Sequence, residues 1–534
     1  MNRFYKGLLL FLLTLALVFT FCACSQGGGS VAVEKVKLNK TSLTLTSGDT
    51  FQLTATVTPE GASQEVTWTS ANGSYATVSK DGLVKVKNTG NSSATVKITA
   101  TSVADTTKKA SCTITVKIAP PETFTLSKIG MVTSGPGEDA STEAVISWHA
   151  PSTGSVLEYT DANGQDFTHT EACDGELSTA KWADTATHYR CRVELEGLTP
   201  GATYKYRIKD SEGKYTDVAE FRTAVADTTD FQFMWLSDLH TPKGGTSYIN
   251  RVKELIGFAQ EKEGVDIDFC LFTGDMVNKG QDYFHWNYWS DSKLLNDMEY
   301  AFVCGNHDYY PYDSKDRTTN AYYKDVAAYP FNNTEGEAYV MDSNYWFLWN
   351  RVLFVCIDNF TSEGSETSGK PGSTLKEQQA WFKAVVDANA GEYDYLIYCQ
   401  HLPFFNTDTA PCDYGYYRDW YKIFDEYGVD FALSSDEHTY RRTNPLLNDA
   451  KVDLDADGKV DKGTVYVTSN QTEGSAVSAL INEAKAGLKY VAYTAGGIGG
   501  VYFTVTPDEM TLHQVGAGGK EYDTITVLKK DRSK

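Results

Sequence analysis

Five apolar runs between residues 231 and 438 each end in a short polar turn carrying Asp, Asn or His, and no other feature constrains the fold as strongly. Phe231-Gln232-Phe233-Met234-Trp235-Leu236 leads into Ser237-Asp238-Leu239-His240, and Phe269-Cys270-Leu271-Phe272 into Thr273-Gly274-Asp275. Ala301-Phe302-Val303-Cys304 leads into Gly305-Asn306-His307-Asp308, and Tyr395-Leu396-Ile397-Tyr398-Cys399 into Gln400-His401-Leu402-Pro403. Phe431-Ala432-Leu433 leads into Ser434-Ser435-Asp436-Glu437-His438. Runs this apolar fit strands buried on both faces. Helical stretches lie between them. Ile249, Val252, Leu255, Ile256 and Ala259 share one face, Thr374-Leu375-Lys376-Glu377 is a capping box, and Asp419 to Tyr427 is a third helix stopped by Gly428. The alternation implies an α/β domain, in which side chains at the carboxyl ends of strands converge. One such turn is ordinary; five in order, at domain-scale spacing, are not.

A chain of 534 residues is too long for one core. From Val31 to Ile118 the text alternates with period two, as in Phe51-Gln52-Leu53-Thr54-Ala55-Thr56-Val57 and Ala94-Thr95-Val96-Lys97-Ile98-Thr99-Ala100, with turns every eight to twelve residues. That is β-sandwich grammar. With Leu38-Asn39-Lys40, Thr46-Ser47-Gly48-Asp49 and Thr67-Trp68-Thr69-Ser70, the segment 31–118 resembles a bacterial Ig-like domain, which implies a spacer or a cell-wall or surface contact. Pro120-Pro121 marks a boundary, and a second β-rich segment spans 122–225. Its Gly197-Leu198-Thr199-Pro200-Gly201-Ala202-Thr203-Tyr204-Lys205-Tyr206-Arg207-Ile208 resembles a fibronectin type III domain, and more narrowly the domain that precedes the catalytic domain in purple acid phosphatases. The α/β domain takes the rest, 230–530.

Residues 1–24 form a targeting segment: Arg3 and Lys6, an apolar stretch from Gly7 to Phe21, then Ala23-Cys24. It resembles a bacterial lipoprotein signal with Cys24 as the lipidated residue, although Phe21 stands where a smaller aliphatic residue is usual. Residues 25–30, Ser-Gln-Gly-Gly-Gly-Ser, would be a flexible tether. The expectation is an extracytoplasmic protein held to the membrane only by its lipid, with ordinary secretion as the alternative. Ten cysteines include Cys22 and Cys24 of the signal; Cys270, Cys304, Cys356 and Cys399 lie within apolar runs. Pairing of Cys173 with Cys191 is left open. With 48 Lys and Arg against 70 Asp and Glu the net charge is -22, which argues against a nucleic-acid-binding surface. A negatively charged substrate would then need a locally positive site, which bound metal ions would supply.

The order of the five polar turns is similar to that of the calcineurin-like metallophosphoesterase superfamily. The resemblance implies a four-layer α/β sandwich behind two N-terminal β-sandwiches. It places Asp238, His240, Asp275 and His438 on one metal, and Asp275, Asn306, His401 and Asp436 on a second. This mixed O/N set suits two divalent or trivalent transition metals, Mn, Fe or Zn, better than Ca or Mg. The implied chemistry is phosphoester hydrolysis by a hydroxide generated at the metal pair, with His307 protonating the leaving group and Asp308 orienting it. The resemblance carries two departures. The family's last motif is Gly-His-x-His, but here Asp436 stands where a histidine would bind, with Glu437 as a substitute donor. The iron-binding tyrosine of the purple enzymes would fall at Asn278, and their first motif lacks a counterpart of His240, so a colourless site is expected.

The substrate expected is a small phosphate ester, a monoester ahead of a diester or nucleotide, with Tyr309, Tyr440 and Arg442 as candidate contacts. The competing class is a non-catalytic surface-binding protein with a degenerate metal site, which Asp436 favours. Separately, Asp453, Asp455, Asp457, Gly458 and Asp461 follow the first nine positions of an EF-hand calcium loop, with Thr464 where the terminal Glu belongs. A calcium site and a solvated acidic hairpin are both open.

Overall fold

A computed structural model describes residues 31–88, 93–117, 130–178, 188–226, 230–241, 246–264, 266–292, 294, 298–310, 320–333, 343–360, 375–413, 415–472, 483–485 and 487–532. The targeting segment with Cys24, the tether and Thr374 lie outside them. The chain divides into two compact units, Met1–Pro120 and Pro121–Lys534. Among the described residues no helix is long and apolar enough to cross a membrane.

The described residues of the first unit form β-strands and turns. Strands Ser42–Thr46, Lys109–Lys117, Ala94–Ser102 and Val66–Ser70 form one sheet, and Thr50–Gln52, Leu83–Val86 and Ala76–Val78 another. Alternate residues Val96, Ile98, Ile114 and Val116 point inward onto Leu53 and Val84, and every one is at most 2% exposed. Burial at period two is what the alternation demands.

The second unit opens with two four-stranded sheets packed over Ile146, Trp148, Leu157, Tyr206 and Ile208. This sandwich is bonded to the α/β domain at several places, among them Glu138 and Ala140 against the main chain of Leu348 and a stretch at residues 324–331. The Arg192 guanidinium donates to the carbonyls of Lys324, Ala327 and Tyr329 and lies 3.7 Å over the Phe331 ring. Thr133 donates to the Val326 carbonyl at 2.8 Å.

The α/β domain has four layers. A six-stranded sheet runs Glu299–Val303, Phe269–Thr273, Phe231–Leu236, Gly499–Val505, Glu509–Gly516, Glu521–Leu528, its first three strands parallel. An eight-stranded sheet holds Val352–Cys356, Tyr395–Cys399, Phe431–Ser434 and Val465–Thr468 side by side and parallel. The sheets meet face to face through aromatic rings: Phe233 on Phe354 and Phe431 on Phe503, each pair 5.2 Å apart and near-perpendicular. Helix Thr246–Glu263 covers the outer face of the first sheet, where Leu255 nears Leu236 over Gly500. Helices Leu375–Ala388 and Tyr416–Tyr427 cover the second, with Phe382 and Phe424 against Tyr398. The last helix begins three residues before the expected Asp419 and ends at Gly428, whose left-handed φ of 66° lets its N–H cap the Phe424 carbonyl. Every residue of the five motif strands is buried except Gln232, so no helical amphipathic pattern could have come from them.

Candidate metal centre

The five polar turns converge where the carboxyl ends of the two sheets abut. Asp238, His240, Asp275 and Asn306 follow strands of the six-stranded sheet; His401, Asp436 and His438 follow strands of the eight-stranded one. Three overlapping sets offer ligand atoms within 4.8 Å of one another: Asp238, His240 and His438; His240, Asp275 and His307; Asp238, Asp275 and His401. Asp275 stands at the middle. One of its oxygens is 3.2 Å from His401 Nε2 and the other 3.6 Å from His240 Nε2. Asn306 Oδ1 lies 2.9 Å and Asp436 Oδ1 3.8 Å from the same His401 nitrogen.

The backbone is bent to make this meeting possible. Asp238, His240, Asp275, Asp436 and His438 all have φ between 49° and 72°. A non-glycine residue there costs about 1 kcal/mol or more, so five together persist only where the surroundings hold them. The surroundings do so: Asp238 N–H donates to the Gly274 carbonyl, His240 N–H to that of Asp275, and Ser435 N–H to that of His401. Two glycines permit the close approach. A Cβ on Gly274 would stand 2.4 Å from His401 Nδ1, and one on Gly305 2.4 Å from Asp275 N.

The donor atoms fit cations. His401 Nδ1 donates to the Thr273 carbonyl at 2.6 Å, so its proton is fixed there and Nε2 turns a lone pair onto two oxygens. That contact is repulsive unless Nε2 meets a proton or a metal ion. His240 Nε2 and His438 Nε2 stand 3.1 Å apart, aimed at common space. Asp238 Oδ1 is fully buried and makes no well-formed hydrogen bond among the described residues. Burial, seconded by His307, depresses His240 to about 3, keeping it the neutral imidazole a metal needs. Burial opposes ionisation of Asp275, but the surrounding histidines outweigh it and hold the carboxyl far below its usual range. Burial also opposes protonation of His401, and Asp275 overcomes it, raising the imidazole well above normal. Asp436 is lifted by burial, against His401, to about 7. This cage stores negative charge against positive charge.

His307 sits at the mouth, its side chain 24% exposed against at most 3% for His240, His401 and Asp275. Its Nδ1 lies 3.0 Å from the Asn278 carbonyl, leaving Nε2 free to face the cage at 4.0 Å from Asp275. Asp308 does not orient it, contrary to the sequence expectation. The Asp308 carboxylate instead accepts from the backbone N–H groups of Gly305 and Asp275, at 2.8 and 3.1 Å, and so ties two ligand turns together. The candidate substrate contacts are also corrected. Tyr309 is buried and its hydroxyl donates to Asp358 at 2.7 Å. Tyr440 and Arg442 both bond Asp523 on strand Glu521–Leu528, Arg442 through two nitrogens at 2.6 and 2.8 Å. Those groups brace the fold. In the acidic loop Asp455 accepts from the N–H groups of Asp457 and Lys459, closing a turn, and among the described residues Asp453, Asp455, Asp457 and Asp461 form no cluster of metal-binding geometry.

Several supporting residues escaped the sequence reading. Asn359 Oδ1 accepts from the N–H groups of His401 and Leu402, and Tyr310 accepts from the Asn306 amide at 2.9 Å. Asp358 gathers Tyr309, Ser343 and Asn320. A signal was present: Ile357-Asp358-Asn359 ends the apolar strand Val352–Cys356 as the other turns end theirs.

Comparison with known proteins bears on this geometry. Residues 231–440 match the family model of calcineurin-like phosphoesterases, residues 132–223 that of the purple acid phosphatase N-terminal domain, and residues 32–114 that of group 2 bacterial Ig-like domains. An uncharacterized protein of Mycobacterium tuberculosis is 26% identical over 373 residues, covering 62% of this chain and 67% of that one. Among solved structures, a purple acid phosphatase from yellow lupin (Lupinus luteus) seeds superimposes with a TM-score of 0.58 at 14% identity, covering 93% of this chain and 96% of its own. The structure of PhoD gives 0.52 at 14% identity, with 77% and 92% covered. Two sheets that bring seven candidate metal donors to one seam, and a matching family model over residues 231–440, mark the α/β domain of this chain as a calcineurin-like metallophosphoesterase domain.

Proposed function

We propose that the protein is an extracytoplasmic phosphomonoesterase whose cage binds two transition-metal ions, one through Asp238, His240, Asp275 and His438 and one through Asp275, Asn306, His401 and Asp436. The observation that carries this is the central position of Asp275, within 3.6 Å of histidines from both sheets. Bound there, the metals would supply Lewis acidity for phosphate oxygens and acidify a water for attack on phosphorus. The protein's own contribution is placement. The carboxylates and imidazoles are held in position before any ligand arrives, and so cost little reorganisation during reaction. With Nδ1–H donating to the Asn278 carbonyl, His307 turns Nε2 to the cage, and in its doubly protonated form that atom gives a proton to the departing ester oxygen. A net charge of -22 gives phosphate no general attraction to the surface, and recognition then rests on local positive charge at the cage.

The monoester reading is supported by the purple acid phosphatase-type domain at 132–223. Location outside the cytoplasm is supported by the residues 1–24 pattern and the Ig-like module at 32–114. The test is metal analysis of purified protein together with hydrolysis of an aryl phosphate and an aryl phosphodiester, with Mn, Fe or Zn added. Two equivalents of metal and faster monoester turnover are expected. Faster diester turnover would move the assignment to a phosphodiesterase or nucleotidase. No bound transition metal and no turnover on either ester would leave the surface-binding reading, with Asp436 as its cause.

A further inference from the structure

We infer that Cys173 and Cys191 are a redox pair that closes a disulfide between the two sheets of the second sandwich. Cys173 ends strand Phe167–Cys173 of one sheet, and Cys191 lies within Tyr189–Leu195 of the other. The Cys191 sulfur stands 3.7 Å from the Cys173 carbonyl oxygen and 3.4 Å from Ser155 Oγ. Ser155 is itself the register partner of Cys173 on the neighbouring strand. Just beyond, Gly175 turns with φ 75° so tightly against Cys191 that a Cβ there would stand 3.3 Å from its sulfur. Three separate pieces of backbone therefore press the two cysteines together.

Their surroundings differ in a way that orders the chemistry. Cys173 is partly exposed and Cys191 buried. The hydrogen bond between the thiols lowers Cys173 to about 7 and raises Cys191 far above its ordinary value. Cys173 is then the attacking thiolate. It displaces one thiol from a small-molecule or protein disulfide and forms a mixed disulfide. The Cys191 sulfur, giving up its proton, attacks the Cys173 sulfur and releases the second thiol. Two S–H bonds are lost, one S–S bond forms, and the oxidant disulfide is reduced to two thiols. The other described cysteines, Cys112, Cys270, Cys304, Cys356, Cys399 and Cys412, are all buried. An oxidising compartment would leave such a pair closed.

The experiment is to equilibrate the full chain with oxidised glutathione, block free thiols under denaturing conditions, and map peptides by mass spectrometry. A peptide linking Cys173 to Cys191 is expected, cleaved by reductant, and absent from Cys173→Ser and Cys191→Ser. Closing the bond should raise Tm by ~5 °C over the reduced protein. Recovery of both cysteines blocked, or of Cys173 only as a glutathione adduct, would overturn the inference. The wild-type map decides it even where a serine variant fails to fold, and phosphatase activity plays no part in the readout.

Discussion

The two sheets do not contribute alike to the cage. The six-stranded sheet supplies Asp238, His240, Asp275 and Asn306, all at most 3% exposed, on turns that bond one another through main-chain groups and through Asp308. The eight-stranded sheet supplies the fully buried His401, but also Asp436 and His438, whose side chains are 20% and 24% exposed. One half is a fixed socket. The other is a partly open jaw, and it is the half in which a carboxylate replaces the histidine of the related motif. On the proposed function, the difference predicts that metal affinity is set mainly by the socket and tuned at the jaw.

The severest way to break that picture is Asp275→Ala, which touches both halves. Hydrolysis of an aryl phosphate should fall by at least ~10³-fold with loss of both metals, while circular dichroism stays unchanged. A variant retaining near-normal rate would place the chemistry elsewhere. Next comes the contrast itself. His240→Ala, in the socket, should cost on the order of 10³-fold and Asp436→Ala, in the jaw, on the order of 10²-fold, the latter keeping one bound metal by elemental analysis. Equal losses would erase the distinction between socket and jaw. Asp308→Ala should lower kcat by ~10–100-fold, because it loosens the turns and leaves the donors in place.

A stability measurement sharpens the comparison from the side of the eight-stranded sheet, whose strand Val352–Cys356 leads into Asp358. Burial, only partly offset by the Ser343 and Tyr309 hydroxyls, lifts Asp358 to about 7. The folded chain keeps a proton there that the unfolded chain releases near pH 4. This residue therefore makes stability fall as pH rises from ~4 to ~7 and then level off, by at most ~4 kcal/mol. Urea melts should show the slope in the parent and a flatter profile in Asp358→Asn. Smallest is Tyr440→Phe, which should change KM by less than ~2-fold and cost ~1 kcal/mol of stability through its bond to Asp523. A large KM change would return Tyr440 to the substrate.

What the sequence made legible follows from range. Strand, turn and helix are written in neighbouring residues, so the sandwiches and the polar turns could be read directly. Which way a side chain points at the rim is decided by partners far along the chain. Tyr440 and Arg442 alternate onto the face that meets Asp523, more than eighty residues later, and nothing near them announces it. Asp308 looked like a partner for its neighbour His307, yet the 3-10 turn His307–Tyr309 swings it under Asp275. The Arg192 clamp on residues 324–331 was equally silent, since a lone arginine in a strand has no local signature.

The left-handed backbone at five donor positions has a consequence for how such a centre can drift. Apart from glycine, the residues that tolerate this conformation best are Asn, Asp and His, and these are also good donors to transition metals. At Asp436, with φ 72°, the substitutions the main chain admits most easily thus nearly all keep an oxygen or nitrogen facing the seam. Geometry filters mutation there before catalysis does, so an exchange of histidine for aspartate is a change of metal preference along a path the chain already permits.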